Sequence, residues 1–385
     1  GAASRWWLHH ALAELAERLA ERGTRLIIRQ GPARRELDRL IDETGAAGVY
    51  WNRLYEPALV ERDKNIKAHL KSREIAARSF RASVLFEPWE LLKDDARPYQ
   101  VFTPYWRCMQ RNWRVVQPQP EPRKLADGTG TLESAALSDL ELLPEHDWGD
   151  RLAGYWTPGE LAARRRLNEF VHDGVEHYPA ERDRPDHQGT SGFSPYLHFG
   201  HVSPAQIVHA LEPAGELPGG KGALSLVREL CWREFSAMLL YHVPTLPDQP
   251  LQSRFEHFPW RKPGDYADDL KAWQGGRTGV PLVDAGMREL WATGWMHNRV
   301  RMVVASFLTK NLLIPWQEGA RWFWDTLVDA DLANNTQGWQ WTAGCGADAA
   351  PYFRVFNPEL QAEKFDPEGT YVQRWCPELE GRDAK

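Results

Sequence analysis

Residues 331–358 read DLANNTQGWQWTAGCGADAAPYFRVFNP. Two acids, two adjacent asparagines and a Trp-Gln-Trp triplet crowd together among small residues, with no clear strand or helix period to absorb them. On the N-terminal side the pattern is strongly helical: GALSLVRELCWREFSAMLLYHV, VDAGMRELWATG, WMHNRVRMVVASFLTKNLL and EGARWFWDTLVD follow one another. Thr157-Pro158-Gly159-Glu160 and Ser203-Pro204-Ala205-Gln206 each have the form of a capping box with proline at the first helical position. Residues 156–385 are therefore expected to form an all-α domain. Residues 93–155, with VVQPQPEPRKLADGTG, are too long and too rich in Pro, Gly and polar residues for an ordinary loop, and are expected to be an interdomain linker.

Residues 1–92 alternate helix and strand. WWLHHALAELAERLAERG is a helix stopped by Gly23, RLIIRQ a strand, ARRELDRLIDETG a helix stopped by Gly45, AGVYWN a strand, and ARSFRASVLFEPWELL supplies another strand region. This alternation predicts an α/β domain with a doubly wound, Rossmann-like parallel sheet, although no GxGxxG fingerprint accompanies it.

The 385 residues suit two or three domains, and 42% apolar composition describes a globular chain. No apolar run approaches the roughly 18–20 residues that span a bilayer, and the first residues form an amphipathic helix rather than a signal peptide, so a cytoplasmic address is expected. The four cysteines are scattered without a CxxC pair, which implies neither a zinc site nor a disulfide framework. A net charge of -6 argues against a general polyanion binder, so any nucleic-acid site must be a local patch. Most of the 19 tryptophans are expected in the core.

Three clusters carry possible chemistry. Glu229, Trp232 and Arg233 stand at i, i+3 and i+4 of one helix; the plain alternative is a Glu229–Arg233 salt bridge beside a core tryptophan. Asn298 and Met302 share a helix face, flanked by Arg299. Thr190, Ser191 and Ser194 place three hydroxyls in a Gly-containing turn that suits a phosphate.

Taken together, GTSGFSPYLHFG, WREF, GRTGVPLVDAGMREL, TGWMHNRVRM and the opening stretch resemble the DNA photolyase and cryptochrome family, most closely microbial photolyases of cyclobutane pyrimidine dimers. WWLHHAL and VFTPYW extend the resemblance through the front half. It implies an antenna-type α/β domain, a linker and a helical domain that binds FAD, active in its reduced form. Tyr178 and the turn Thr190, Ser191, Gly192, Phe193 and Ser194 would hold the cofactor from one side, with Arg233 near the flavin. Asp329, Ala330 and Asp331 match the acidic part of its pocket, and Asn335 would face flavin N5. Trp339, Trp316 and Trp260 match an electron-transfer chain from proximal to outer.

Trp232 and Trp341 resemble the aromatics that pack against a flipped-out dimer. Glu229 would face its carbonyl and amide edge from an apolar pocket that raises its pKa, and Asn298 and Met302 would line the same cavity. Arg182, Arg299, Arg354 and Gln361 match DNA-contacting positions. The resemblance implies light-driven repair of damaged DNA by a monomer, without a metal. Two alternatives remain open, a cryptochrome-type photoreceptor and a non-catalytic helical DNA-binding protein. Ala58 and Leu59 stand where folate-binding relatives carry an Asn-Glu pair, so the identity of any second antenna chromophore stays open. The family's first strand and helix precede WWLHHAL, and the front sheet is expected to lack that strand.

Overall fold

The computed structural model describes residues 1–126, 128–146, 148–352 and 354–379; Phe353 of the opening stretch and residues 380–385, the end of the expected helical domain, lie outside them. The chain begins with α1 (Ala2–Glu21) and α2 (Ala33–Thr44). Gly23 and Gly45 follow them at φ 85° and 64°, a conformation that costs glycine nothing and strains other residues. β1 (Gly48–Asn52), α3 (Pro57–Ser72) and β2 (Ala76–Phe80) form one parallel β-α-β unit, Gly48 opposite Ala76 and Asn52 opposite Phe80. Ile41 of α2 and Ile66 and Leu70 of α3 pack with Val49 and Trp51. Alternation sends Tyr50 to the opposite face, where it stacks on Phe80 and stays 61% exposed.

The sheet among the described residues thus has two strands. RLIIRQ, expected as a third, runs extended without a ladder: Ile28 N–H donates to Ser134 Oγ and its carbonyl accepts from Ala135 N. A strand exists only through its partner, and here the later chain took the partner's place. ASVLF is likewise irregular, the second strand having ended at Phe80.

Within residues 93–155 lie α4 (Phe102–Arg111) and the short α5 (Trp148–Ala153). Phe102, Tyr105 and Met109 of α4 join one core with Trp6 and Trp7 of α1 and Val227, Leu230 and Phe235 farther on. Next come α6 (Glu160–Glu169), α7 (Tyr178–Glu181), α8 (Ser194–His198), α9 (Pro204–Leu211) and α10 (Lys221–His242). The Ser203 capping box forms as expected, Gln206 N donating to Ser203 Oγ at 3.1 Å and Ser203 N to Gln206 Oε1 at 2.8 Å. The one expected at Thr157 does not. α6 starts at Glu160, whose carboxylate is bound by Arg18, and Glu14 of α1 accepts from Leu161 N instead.

The second core is built from α11 (Pro263–Gln274), α12 (Pro281–Thr293), α13 (Asn298–Ser306), α14 (Trp316–Thr326), α15 (Leu332–Ala343), α16 (Pro358–Phe365) and α17 (Thr370–Trp375). α15 corrects the expectation for the opening stretch, whose first half is a helix. Asp331 caps it by accepting from Asn334 N at 2.8 Å, and Gly344 ends it at φ 93°. Its residues are buried on several faces among α10, α13 and α14, so no polar face existed to display a period. All four cysteines are free and buried. No helix among the described residues is long and apolar enough to cross a membrane.

Candidate functional site

A cavity of about 430 Å³ opens between the two cores, bounded by α10, α13, α14 and α15. It gathers residues spread over 160 positions into one lining: Arg182, Glu229, Trp232, Asn298, Arg299, Met302, Asp329, Ala330, Asp331, Asn335, Trp339 and Trp341 all face it.

One flank is built of acids with assigned partners. Asp329, its side chain 2% exposed, takes Arg301 Nη2 on both oxygens at 3.1 and 2.8 Å. Arg301 is held in turn by its Nε on the Met296 carbonyl and by the Trp295 ring, 5.8 Å from its guanidinium. Burial pushes the Asp331 carboxyl upward, but His198, Arg233 and the Asn334 N–H outweigh it and keep the group well below the usual carboxylate range. Asn335 donates its amide nitrogen to the Ala320 carbonyl at 2.9 Å, which fixes the amide's orientation. At Gly338, also on the wall, an added Cβ would meet nothing within 4 Å, so the helix offers bare backbone to whatever fills the space. A flat ligand with a polar edge, such as a flavin, fits this flank.

Tyr178 and the 190–194 turn are not part of the lining. Tyr178 and Phe193 pack edge-on against the same ring, Phe170, at 5.4 and 5.3 Å, which brings their two segments together. Arg166 Nε and Nη2 take the carbonyls of Ser191 and Thr190, both at 2.8 Å, and Gly192 turns at φ 69°. Ser194 Oγ accepts from Trp295 Nε1 at 3.3 Å, so the turn reaches the cavity through Trp295 and Arg301. Arg233 is spent on the Ser83 carbonyl, not on Glu229, and acts on the site as a charge near Asp331. The plain alternative of a Glu229–Arg233 salt bridge is therefore not what the helix forms.

On the other flank Glu229 is ion-paired with Arg182, and its side chain is 31% exposed. The expected apolar surroundings are absent because α7 brings a guanidinium to it, itself resting 5.4 Å over the Tyr178 ring. Trp232 and Trp341 present ring surface, and Arg299 pairs with Asp183 at 2.9 Å. Arg354 and Gln361 lie in an adjoining groove of about 400 Å³ that Arg184, Arg299 and Lys364 also line, so cations gather locally despite the negative total.

Trp339 and Trp316 are each 2% exposed. Trp339 meets Phe323 at 5.0 Å and Trp273 at 6.1 Å, and it lies over Gly319, one turn after Trp316 on α14. Trp260 is half-buried and tilts against Phe258 at 4.4 Å.

Outside the cavity lining, Glu289, Glu234 and His297 are buried and His201 is half-buried. Glu289 accepts from Tyr371 Oη at 2.6 Å and from His297 N at 3.2 Å, and burial pushes its carboxyl up to about 7. Glu234 accepts from the backbone N–H groups of Leu85 and Phe86 and is likewise pushed up to about 7 by burial. Burial instead lowers His297 and His201 to about 4. The signs oppose. The folded carboxyls keep protons that the unfolded chain has lost, so their contribution to stability falls as pH rises from 4.5 to about 7. The folded imidazoles lack protons that the unfolded chain gains, so theirs falls as pH drops from 6.5 to about 4. Between pH 4.5 and 6.5 the four groups nearly cancel. Urea unfolding across that range should show Glu289→Gln adding about +1 kcal/mol per pH unit to the slope of stability against pH. His297→Asn should change the slope by a similar amount in the opposite direction; unchanged slopes in both variants would refute the assignment.

Arg301, His198, Trp273 and Phe323 were not singled out in the sequence. A buried Asp329 demanded a cation, and TGWMHNRVRM offered two arginines; only packing shows that Arg301, not Arg299, takes the part.

Residues 1–123 match the family model described as DNA photolyase, and residues 226–385 match the FAD binding domain of DNA photolyase. The chain is 45% identical over 386 residues to a deoxyribodipyrimidine photo-lyase of Agrobacterium fabrum, covering 100% of this chain and 80% of that protein. It is 37% identical to Cryptochrome-1 of Arabidopsis thaliana, covering 98% of this chain and 56% of that one. The crystal structure of a bacterial class III photolyase from Agrobacterium tumefaciens superposes with a TM-score of 0.95 at 44% identity, over 100% of this chain and 79% of that one. With an acid-lined cavity in the helical half and family models matching both ends, the chain belongs to the DNA photolyase family.

Proposed function

We propose that this chain uses light to split cyclobutane pyrimidine dimers in DNA, with FAD held in its helical half. The carrying observation is that a single cavity is shared by Asp329, Asp331, Asn335 and Trp339 on one flank and Glu229, Trp232, Asn298, Met302 and Trp341 on the other. When bound, reduced FAD supplies the photoexcited electron that opens the cyclobutane ring.

The chain's own residues bind, orient and exclude water. Asp329 and Asp331, each fixed by a cationic or imidazole partner, hold the polar edge of the cofactor beside Ala330 and Asn335. The hydroxyls and N–H groups of residues 190–194, with Tyr178 behind them, serve its phosphates. Trp232 and Trp341 receive the flipped lesion, which has lost stacking and pairing and is the cheapest step of a duplex to extrude. Glu229, ion-paired with Arg182, faces the carbonyl and amide edge of the bases. Arg182, Arg299, Arg354 and Gln361 track the phosphates, so binding weakens as salt rises. Trp260, Trp316 and Trp339 carry charge between surface and cavity.

At the scale of domains we propose a doubly wound antenna-type unit over 1–92, a connection over 93–155 and the catalytic helical domain over 156–385. We further propose a second antenna chromophore of unspecified identity, and a monomer working in the cytoplasm.

Reduced holoprotein mixed with a dimer-containing oligonucleotide should restore intact thymines under blue or near-UV light. Glu229→Ala should lower the yield at subsaturating DNA about tenfold, the worth of a charge-assisted hydrogen bond. The 37% identity to Cryptochrome-1 favours a second reading, a photoreceptor with the same cofactor; a flavin-loaded protein that restores no thymine would decide for it.

A further inference from the structure

We infer that Phe102 and Asp348 are positioning residues for the lesion-binding flank: they fix the plane of Trp232 and its separation from Trp341. The inference rests on the proposed repair of a flipped dimer.

Trp232 is half-buried and lines the cavity, while Phe102, 1% exposed, lies behind it with ring centroids 3.6 Å apart and planes within 7°. One face of the indole is thereby occupied, and the other is the face left for a ligand. Phe102 cannot tilt freely, because Phe235 meets it edge-on at 5.9 Å and the Arg228 guanidinium lies 5.7 Å from its ring.

Phe102 is also the first residue of α4, a helix that receives no cap from the side chain of Val101. Its N-terminal end is tied instead to a loop far along the chain. Asp348 N donates to the Gln100 carbonyl at 2.9 Å, two residues before Phe102, and the Phe102 N–H opposes the upward push that burial gives the Asp348 carboxyl. Asp348 holds a left-handed backbone at φ 48°, a conformation a non-glycine residue keeps only when its surroundings impose it. The same loop is fastened to the helix that presents Trp341. Ala350 N donates to the Trp341 carbonyl at 3.2 Å and Gln337 Nε2 to the Ala347 carbonyl at 3.0 Å. One loop therefore joins the support of one aromatic wall to the base of the other.

The test uses the FAD-loaded 385-residue chain and its variants Phe102→Leu, Phe102→Tyr and Asp348→Ala. Three quantities are measured: flavin absorbance per protein, affinity for dimer-containing and undamaged oligonucleotides, and thymine restored per flash at saturating DNA. Phe102→Leu and Asp348→Ala should lose about 2- to 12-fold in affinity for the dimer alone, the worth of one aromatic pair. Flavin content, undamaged-DNA affinity and saturated yield should hold, and Phe102→Tyr, which keeps the ring, should bind the dimer like the parent. Wild-type dimer affinity in Phe102→Leu would overturn the inference. So would equal loss of flavin and affinity in the Leu and Tyr variants, which would mean general loosening of the core. A parent protein that fails to prefer the dimer would sink the repair proposal itself, and the inference with it.

Discussion

Asp329→Ala should purify colourless and unfold about 2–4 kcal/mol more easily than the parent. The carboxylate is 2% exposed and takes Arg301 on both oxygens, so its removal leaves a guanidinium facing a cavity wall without its countercharge. Breaking a buried pair from one side commonly costs about 3–5 kcal/mol; the lower range applies because Arg301 is 24% exposed and water can reach it. The same change removes an acceptor from the flank that fits the cofactor's polar edge. Asp329→Asn keeps the shape and one acceptor and should fall between. Visible absorbance per mole of protein, with urea unfolding beside it, checks both parts. A yellow Asp329→Ala protein with parental flavin content would remove Asp329 from the binding wall.

Gly319→Ala is expected to harm a protein that ordinary helix propensity says it should help. Alanine in place of glycine inside a helix normally gains about 1 kcal/mol. At this position, on α14, an added Cβ would stand 2.0 Å from the outer carbon of the Trp339 ring and within 2.5 Å of two others. Backbone on one side and a buried indole on the other leave no flexible tip to yield, and overpacking of this kind costs about 1–3 kcal/mol. Trp339 lines the cavity, so the space it seeks is the cofactor's. We expect net destabilisation of about 1–2 kcal/mol and at least a tenfold weaker hold on FAD, read by fluorescence titration of stripped protein. A stabilised variant with parental flavin affinity would show that α14 and α15 can part without disturbing the site.

The sequence by itself determined the local grammar. Gly23, Gly45 and the Ser203 box mark helix ends because left-handed backbone and side-chain capping are properties of a few adjacent residues. GVYWN shows its strand because half-burial of a sheet imposes a period of two. It also determined the family, since long motifs in fixed order survive without knowledge of their contacts.

Tertiary structure decided whatever depends on a partner distant in the chain. RLIIRQ carries the composition of a strand and lacks the ladder that would make it one. LANNTQGWQWTA hid its helix because a helix buried on several faces has no polar side to reveal it. Glu229 was read without Arg182, 47 positions earlier, and Asp329 without Arg301, 28 positions earlier. A charge's chemistry is set by what lies within a few ångströms of it, and the order of residues along a chain does not record that distance.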